Sequence, residues 1–274
     1  MQLEHQKAGF ERRGDNVAAL SYDRVEAVRH FAERKGISYP LLADPESSAI
    51  KTLGLLNTSV PKDSFAYGVP HPGTLIVNAG GRVEAKFMED DYRDRFTPSS
   101  ILVEHFEDAA GKLVRTVETK HLKLTASASD AAVRSGLRVV LALRVELKPG
   151  MHVYAPGVEG GYIPIAWNMA EAREARVLDV RYPPSKTLHL PAIAETVPVY
   201  EGVIELRRDI VAGQNAALQP LLDGGRLVLR GSFRYQACDD KMCYRPEDVP
   251  LEWAFTLEKH DSERVPEALR RGGN

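Results

Sequence analysis

FRYQACDDKMCYRPEDVPLEW, residues 233–253, decides how the second half of this chain is read. It holds both cysteines, Cys238 and Cys243, separated by the four residues DDKM. Upstream, RLVLRGSFRYQA places Leu227, Leu229, Phe233 and Tyr235 on one face of a strand. Downstream, VPLEWAFTL does the same with Val249, Leu251, Trp253, Phe255 and Leu257. The stretch therefore reads as strand, tight cysteine-bearing loop, strand.

The same texture extends outward from this hairpin. LRVVLALRVEL puts Leu137, Val139, Leu141, Leu143, Val145 and Leu147 on one face of a long strand. KPGMH, APGVEGG and YPPSK supply turn chemistry between such runs. Alternating strands punctuated by Pro and Gly predict an all-β immunoglobulin-like sandwich over residues 117–260. The charged stretch 261–274 reads as a mobile tail.

Residues 1–112 have a different pattern. Leu3 and Phe10 suit one face of a helix that Gly14 ends, and NVAALSYD is a run of strand length. In RVEAVRHFAERKG, Val25, Val28 and Ala32 share a helical face and Gly36 is placed to cap it. ESSAIKTLG is a short helix, GTLIVNAGGRVEAKF is two strands turning at Asn78–Gly81, and ILVEHFEDAAG is a closing helix. Strands alternating with helices predict a layered α/β domain.

Bulk composition removes several function classes. Hydrophobic residues make up 43% and charged residues 27% of the 274, as in a folded globular protein. With 36 basic and 38 acidic side chains the net charge is −2, which gives nucleic acid no electrostatic footprint. VVLAL, among the longest apolar runs, is far short of the roughly 18 residues that read as a membrane span. Met1 opens on the polar MQLEHQKAGFERRGD rather than a basic-then-apolar leader.

Three readings of the cysteine pair follow from the residues alone: structural staple, metal clamp, or redox dithiol. As a staple, a loop this short removes unfolded-chain entropy worth only about 2 kcal/mol. A zinc clamp needs four ligands, and the eight histidines (5, 30, 71, 105, 121, 152, 189, 260) are scattered, as surface or packing residues would be. A crosslink at a loop tip is accessible, and accessible disulfides are the labile ones, so placement favours exchange. Asp239 and Asp240 raise a nearby thiol's pKa while Lys241 and Arg245 lower it, leaving the attacking thiol undecided.

YQACDDKMCYRPEDVPLEW resembles the cysteine hairpin of the N-terminal domain of thiol:disulfide interchange protein DsbD, through Tyr235, Gln236, Cys238, Cys243, Tyr244 and Pro246. The resemblance continues through MHVYAPGVEGG and YPPSKTLHLPAIAETVPVYEGVIEL, covering about residues 117–258. It implies an immunoglobulin-like fold and dithiol–disulfide exchange through Cys238 and Cys243, with a thioredoxin-like protein or domain as partner and no cofactor. It also implies a shielding cap, for which Tyr200 and Glu201 are the candidates and Tyr154 a further one. The family setting leans toward a bacterial periplasm. The competing reading is a non-catalytic interaction module whose cysteines staple a hairpin.

NVAALSYD, ISYPLLADPESSAIKTLGLLN and YGVPHPGTLIVNAGGRVEAKF resemble a redoxin of the alkyl hydroperoxide reductase and thiol-specific antioxidant family. This implies a thioredoxin-like fold, with Pro72 in His71-Pro72-Gly73-Thr74 as the candidate cis-proline. The leading strand and reactive cysteine of that family have no counterpart in residues 1–116, which contain no thiol. The expectation is therefore a truncated or degenerate redoxin scaffold without peroxidase activity.

Overall fold

The computed structural model describes residues 2–64, 66–89, 91, 93–190, 195–221, 225–261 and 263–269. It is mostly β-sheet with few helices. The contacts divide it into two units, residues 1–107 with 260–274, and 108–259.

In the first unit, α1 (Gln2–Glu11) leads to β1 (Ala19–Ser21), α2 (Val25–Lys35), β2 (Leu41–Ala43) and α3 (Ser48–Thr52). Gly36 ends α2 in the left-handed conformation, at φ 60°, and its neighbour Ile37 donates back to the Ala32 carbonyl. β3 (Gly73–Val77) and β4 (Val83–Met88) form the hairpin, turning where the Asn78 side chain accepts from the Gly80 and Arg82 amides. β5 (Arg95–Phe96) precedes α4 (Pro98–His105). That helix starts three residues earlier than its apolar run, because Thr97 Oγ1 caps the Ser100 amide at 2.9 Å and Pro98 fits the first helical position.

Phe10, Ile101 and Leu102 form the small core of this unit, with Leu3, Ile76, Phe87 and Phe106 packed against it. The α/β alternation is realised as two separate ladders, β1 parallel to β2 and β3 antiparallel to β4. Segments Asn16–Tyr22 and Pro70–Asn78 border one cavity of about 890 Å³. Asp261 and Glu263 of the C-terminal stretch bond to Arg34, and Asp261 also to Lys35 at 2.5 Å. Residues 262 and 270–274 of that stretch lie outside the described residues.

The expectation at Pro72 is corrected. Every described peptide bond is trans, so Pro72 is not a cis-proline here. Trans is the default of an X-Pro bond by about 0.5–1 kcal/mol unless the surroundings over-determine the alternative.

The second unit begins with β6 (Lys112–Glu118), β7 (Leu122–Ala128), β8 (Ala132–Val133) and the long β9 (Leu137–Leu147). β10 (His152–Tyr154), β11 (Ala166–Met169), β12 (Ala175–Arg181), β13 (Lys186–Leu190), β14 (Glu195–Glu201) and β15 (Val203–Ala212) follow. After α5 (Asn215–Leu218) come β16 (Arg226–Tyr235), the two-residue β17 (Ala237–Cys238) and β18 (Glu247–Leu257). They assemble into three sheets, ordered β12-β15-β9-β7-β6, β11-β16-β18-β8 and β13-β14-β10-β17.

The apolar alternation of β9, β16 and β18 supplies the core. Leu141, Leu143, Val145, Leu227, Leu229, Phe233, Trp253 and Phe255 are all buried in one cluster. Trp253 stacks on Trp167 with centroids 5.7 Å apart, and its indole N–H donates to the Ser127 carbonyl at 2.9 Å. That bond ties β18 to β7 across the layers.

One charge is buried beside this core. Asp209 on β15 is 2% exposed and accepts from Arg138 and Arg181, each at 2.7 Å. Removing Asp209 breaks two charge-assisted hydrogen bonds, worth about 1.5–3 kcal/mol each, and the arginines, 17% and 43% exposed, recover part of that from solvent. Asp209→Ala is expected to lower the urea midpoint of the second unit by a corresponding amount, with the m-value unchanged.

Candidate functional site

The cysteine hairpin is not a simple continuation of the β16–β18 ribbon. Tyr235 still pairs with Glu247 in that ribbon, but after Gln236 the chain steps to another sheet. There Ala237 and Cys238 pair with Val153 and His152 of β10. β10 in turn pairs with β14, so that His152 faces Glu201 and Val153 faces Tyr200. Successive residues of a strand point to opposite faces, so this small sheet has two distinct sides. Val153, Tyr200 and Ala237 enter the main core. Glu201, His152 and Cys238 form a row on the other side, which the Cys238–Cys243 bridge extends to Cys243.

Cys238 and Cys243 are joined in a disulfide. Their surroundings differ sharply: Cys238 is 1% exposed, whereas Cys243 is exposed where the loop closes. Tyr154, Val197 and Val199 are buried with Cys238 in a small cluster of their own. Val158, Tyr162 and Leu188 pack around it.

The loop keeps its shape through one carboxylate. Asp239 Oδ1 accepts from the Lys241 amide at 2.8 Å and the Met242 amide at 2.9 Å, and Oδ2 accepts from the Tyr244 hydroxyl at 2.8 Å. The Lys241 amide above all, then the Tyr244 hydroxyl and the Met242 amide, hold this carboxyl below the usual carboxylate range. The same bond raises the Tyr244 phenol. Gln236 Nε2 donates to the Tyr244 carbonyl at 2.9 Å, and the Tyr244 amide to the Ala237 carbonyl at 2.8 Å. None of these bonds uses a sulfur atom.

Tyr154, the further cap candidate, is the one that reaches the sulfurs. Its hydroxyl lies 3.5 Å from Cys243 Sγ, and burial pushes its phenol up. Its ring packs on Tyr162 with centroids 4.5 Å apart. Tyr162 is anchored by a 2.6 Å bond from its hydroxyl to Glu195, which, with burial, pushes that phenol up to about 12.

The two other cap candidates separate by strand parity. Tyr200 points to the core face, where its hydroxyl donates to the Pro183 carbonyl at 2.8 Å. Glu201 stands on the disulfide's side, ion-paired to Lys186 at 3.4 Å. Tyr235 is a core residue whose hydroxyl is 2.8 Å from Thr119 Oγ1, and burial leads the causes that push it up to about 12. Tyr244 packs on His121 with ring centroids 4.3 Å apart, below Lys120. Pro246 is exposed just before β18.

The sequence reading passed over three residues now placed at the site: His152, Tyr162 and Glu195. Alternation in MHVYA already puts His152 and Tyr154 on one face. Which strands flank that face depends on register, and only pairing supplies it.

Residues 122–251 match the family model of the thiol:disulfide interchange protein DsbD, N-terminal. Residues 1–86 match the AhpC/TSA family. Among solved structures, the N-terminal periplasmic domain of ScsB from Proteus mirabilis is similar at 17% identity and a TM-score of 0.35, over 53% of this chain and 51% of that one. The DsbD N-terminal domain of Neisseria meningitidis in its reduced form is similar at 14% identity and a TM-score of 0.28, over 42% of this chain and 77% of that one. The chain thus spans about half the length of the first of these structures. No curated protein matches it.

Asp239 generates a testable consequence. A depressed carboxyl contributes its stabilisation fully above the unfolded value of about 3.9 and loses it as pH falls through the folded value. Amide exchange at Lys241 and Met242 is expected to stay slow in the reduced protein from pH 8 to 5. In Asp239→Ala it is expected to become several-fold faster throughout that range. Equal exchange rates in the two proteins would show that the loop is not held by this carboxylate.

Proposed function

We propose that the second unit is a thiol–disulfide exchange domain in which Cys243 is the point of attack and Cys238 the resolving cysteine. The observation that carries this reading is the unequal exposure of the two bonded cysteine residues. A thiolate of a thioredoxin-like protein can approach Cys243 along the open side of the loop, whereas Cys238 is covered by Tyr154, Val197 and Val199.

Attack on Cys243 Sγ forms a mixed disulfide and expels Cys238 as a thiolate. The partner's second thiol then attacks its own sulfur in that mixed bond, releasing Cys243 and leaving the partner oxidised. Two electrons have moved from partner to hairpin. The reverse sequence delivers them to an oxidised protein, with the Cys243 thiolate attacking first and Cys238 closing the ring.

The loop's own hydrogen bonds favour this over a structural staple, since a hairpin stitched by Asp239 does not need its sulfur bond to stay folded. The match to the DsbD N-terminal family supports both the chemistry and a thioredoxin-like partner. It also supports a periplasmic setting, where disulfides form and persist. The match of residues 1–86 supports a thioredoxin-like scaffold for the first unit, as a docking element rather than a peroxidase, because that unit contains no cysteine.

Cysteine replacement separates the roles. With a thioredoxin-like protein whose resolving cysteine is removed and whose remaining cysteine carries a thionitrobenzoate, Cys238→Ser is expected to displace the thionitrobenzoate and accumulate a stable mixed disulfide, and Cys243→Ser none. An adduct forming equally through either cysteine would overturn the assignment of attack to Cys243. A wild-type reduction potential below about −300 mV would return the pair to a staple.

A further inference from the structure

Next to the buried cysteine stands a buried base whose ring packs edge-on against Tyr154, centroids 5.8 Å apart, but whose outer nitrogen is left unbonded. His152 is 6% exposed, and its Nε2 has no hydrogen-bond partner among the described residues. Leaving such a group unsatisfied is costly, and a redox role is one of the few accounts of it. His152 is the direct cross-strand partner of Cys238. Directly opposed residues share a face with their Cβ atoms about 4.5–5.5 Å apart. In the oxidised protein Cys238 Sγ is bound to Cys243; after reduction its side chain is free to turn toward the imidazole.

We infer that His152 is the proton acceptor for Cys238: its neutral imidazole takes the thiol proton as Cys238 closes the disulfide. This rests on the exchange reading above. Cys238–SH passes its proton to Nε2, the resulting thiolate attacks Cys243 Sγ of the mixed disulfide, the Cys238–Cys243 bond forms, and the partner leaves as its thiolate. The imidazolium then releases its proton to that departing thiolate or to water. In the opposite direction the imidazolium returns the proton to the expelled Cys238 thiolate, which burial would otherwise leave unpaired.

The charged and titratable neighbours leave this role to His152. Burial, the largest influence, lowers the imidazole's pKa, while Glu201, Asp240 and Asp239 oppose it, which keeps a neutral, accepting form available near neutrality. Both Asp239 oxygens already accept bonds from the loop. Glu201 is at the far end of the row, ion-paired to Lys186. Glu195 accepts from Tyr162. The Tyr154 hydroxyl lies against Cys243 and, with its phenol pushed up, stays protonated.

The test follows ring closure with 5,5′-dithiobis(2-nitrobenzoate) as the probe. Reacting the reduced full chain with one equivalent places a thionitrobenzoate on Cys243, and closure by Cys238 releases a second coloured thiolate. In the wild type this second release is expected to remain fast below the ordinary thiol midpoint of about 8.5. In His152→Gln it is expected to slow by about a hundredfold at pH 7 and to follow an unassisted thiol's profile. An unchanged profile in a folded His152→Gln would overturn the role of His152 while leaving exchange intact. Failure of the wild type to release the second thiolate would instead sink the exchange reading. If His152→Gln does not fold, the wild-type imidazole nitrogen shifts decide: Nε2 is expected to move on reduction of the disulfide, and identical shifts in the two redox states would overturn the proposal.

Discussion

The Asp239 carboxylate holds the cysteine loop through bonds that do not involve the sulfurs, and the proposed exchange role depends on that, because a redox hairpin has to keep its geometry when its disulfide is broken. Two amides and a phenol converge on its two oxygens, fixing the DDKM turn and the Tyr244 ring together. On the exchange reading these bonds keep the loop folded when the sulfur bond breaks, so that the two thiols stay near enough to rejoin. A disulfide whose loss unfolded its own loop would pay the loop-closure entropy again on each oxidation. The acidic pair beside the cysteines is thus first a structural device, at least at Asp239, and only secondarily a modifier of thiol acidity.

The second constraint is the change of sheet at Gln236. Because the chain passes from β16 into β17, which pairs with β10, Cys238 enters a ladder whose other face belongs to the main core. That ladder buries Cys238 without extracting it from the sheet, while the tight turn carries Cys243 into solvent. Chemical asymmetry between the sulfurs is thereby a consequence of topology. Parity along the strands then sorts the neighbours: Tyr200 goes inward and Glu201 outward, although they are adjacent in sequence.

Much of this architecture is legible in the residues. The alternation of Leu137–Leu147, Arg226–Tyr235 and Glu247–Leu257 gives three strands of the core, because each buries one apolar face along its length. Gly36 and Asn78–Gly81 mark their helix end and hairpin turn through backbone chemistry that is local. What periodicity cannot state is which strand lies beside which. His152 therefore reads as one of eight scattered histidines until pairing puts it opposite Cys238, and Tyr200 reads as a cap until its face is known. The helix–strand alternation of the first unit likewise predicts its elements but not their separation into two short ladders, since joining strands is a long-range event with no local signature.

Register also gives the site its logic. Glu201, His152, Cys238 and Cys243 lie in one row across the sheet, running from an exposed acid through two buried residues to an exposed cysteine. Burial disfavours charge on both interior members, the thiolate of Cys238 and the imidazolium of His152. Moving one proton between them turns two neutral groups into an ion pair whose members stabilise each other in the same low-dielectric setting. That pair is transient, because the thiolate is consumed as the disulfide forms and the imidazolium is left without its counter-charge and favours release of its proton. On the proposed role of His152, burial both suppresses the charged state at rest and drives the proton out once the bond has closed, so that one buried row would serve exchange in either direction.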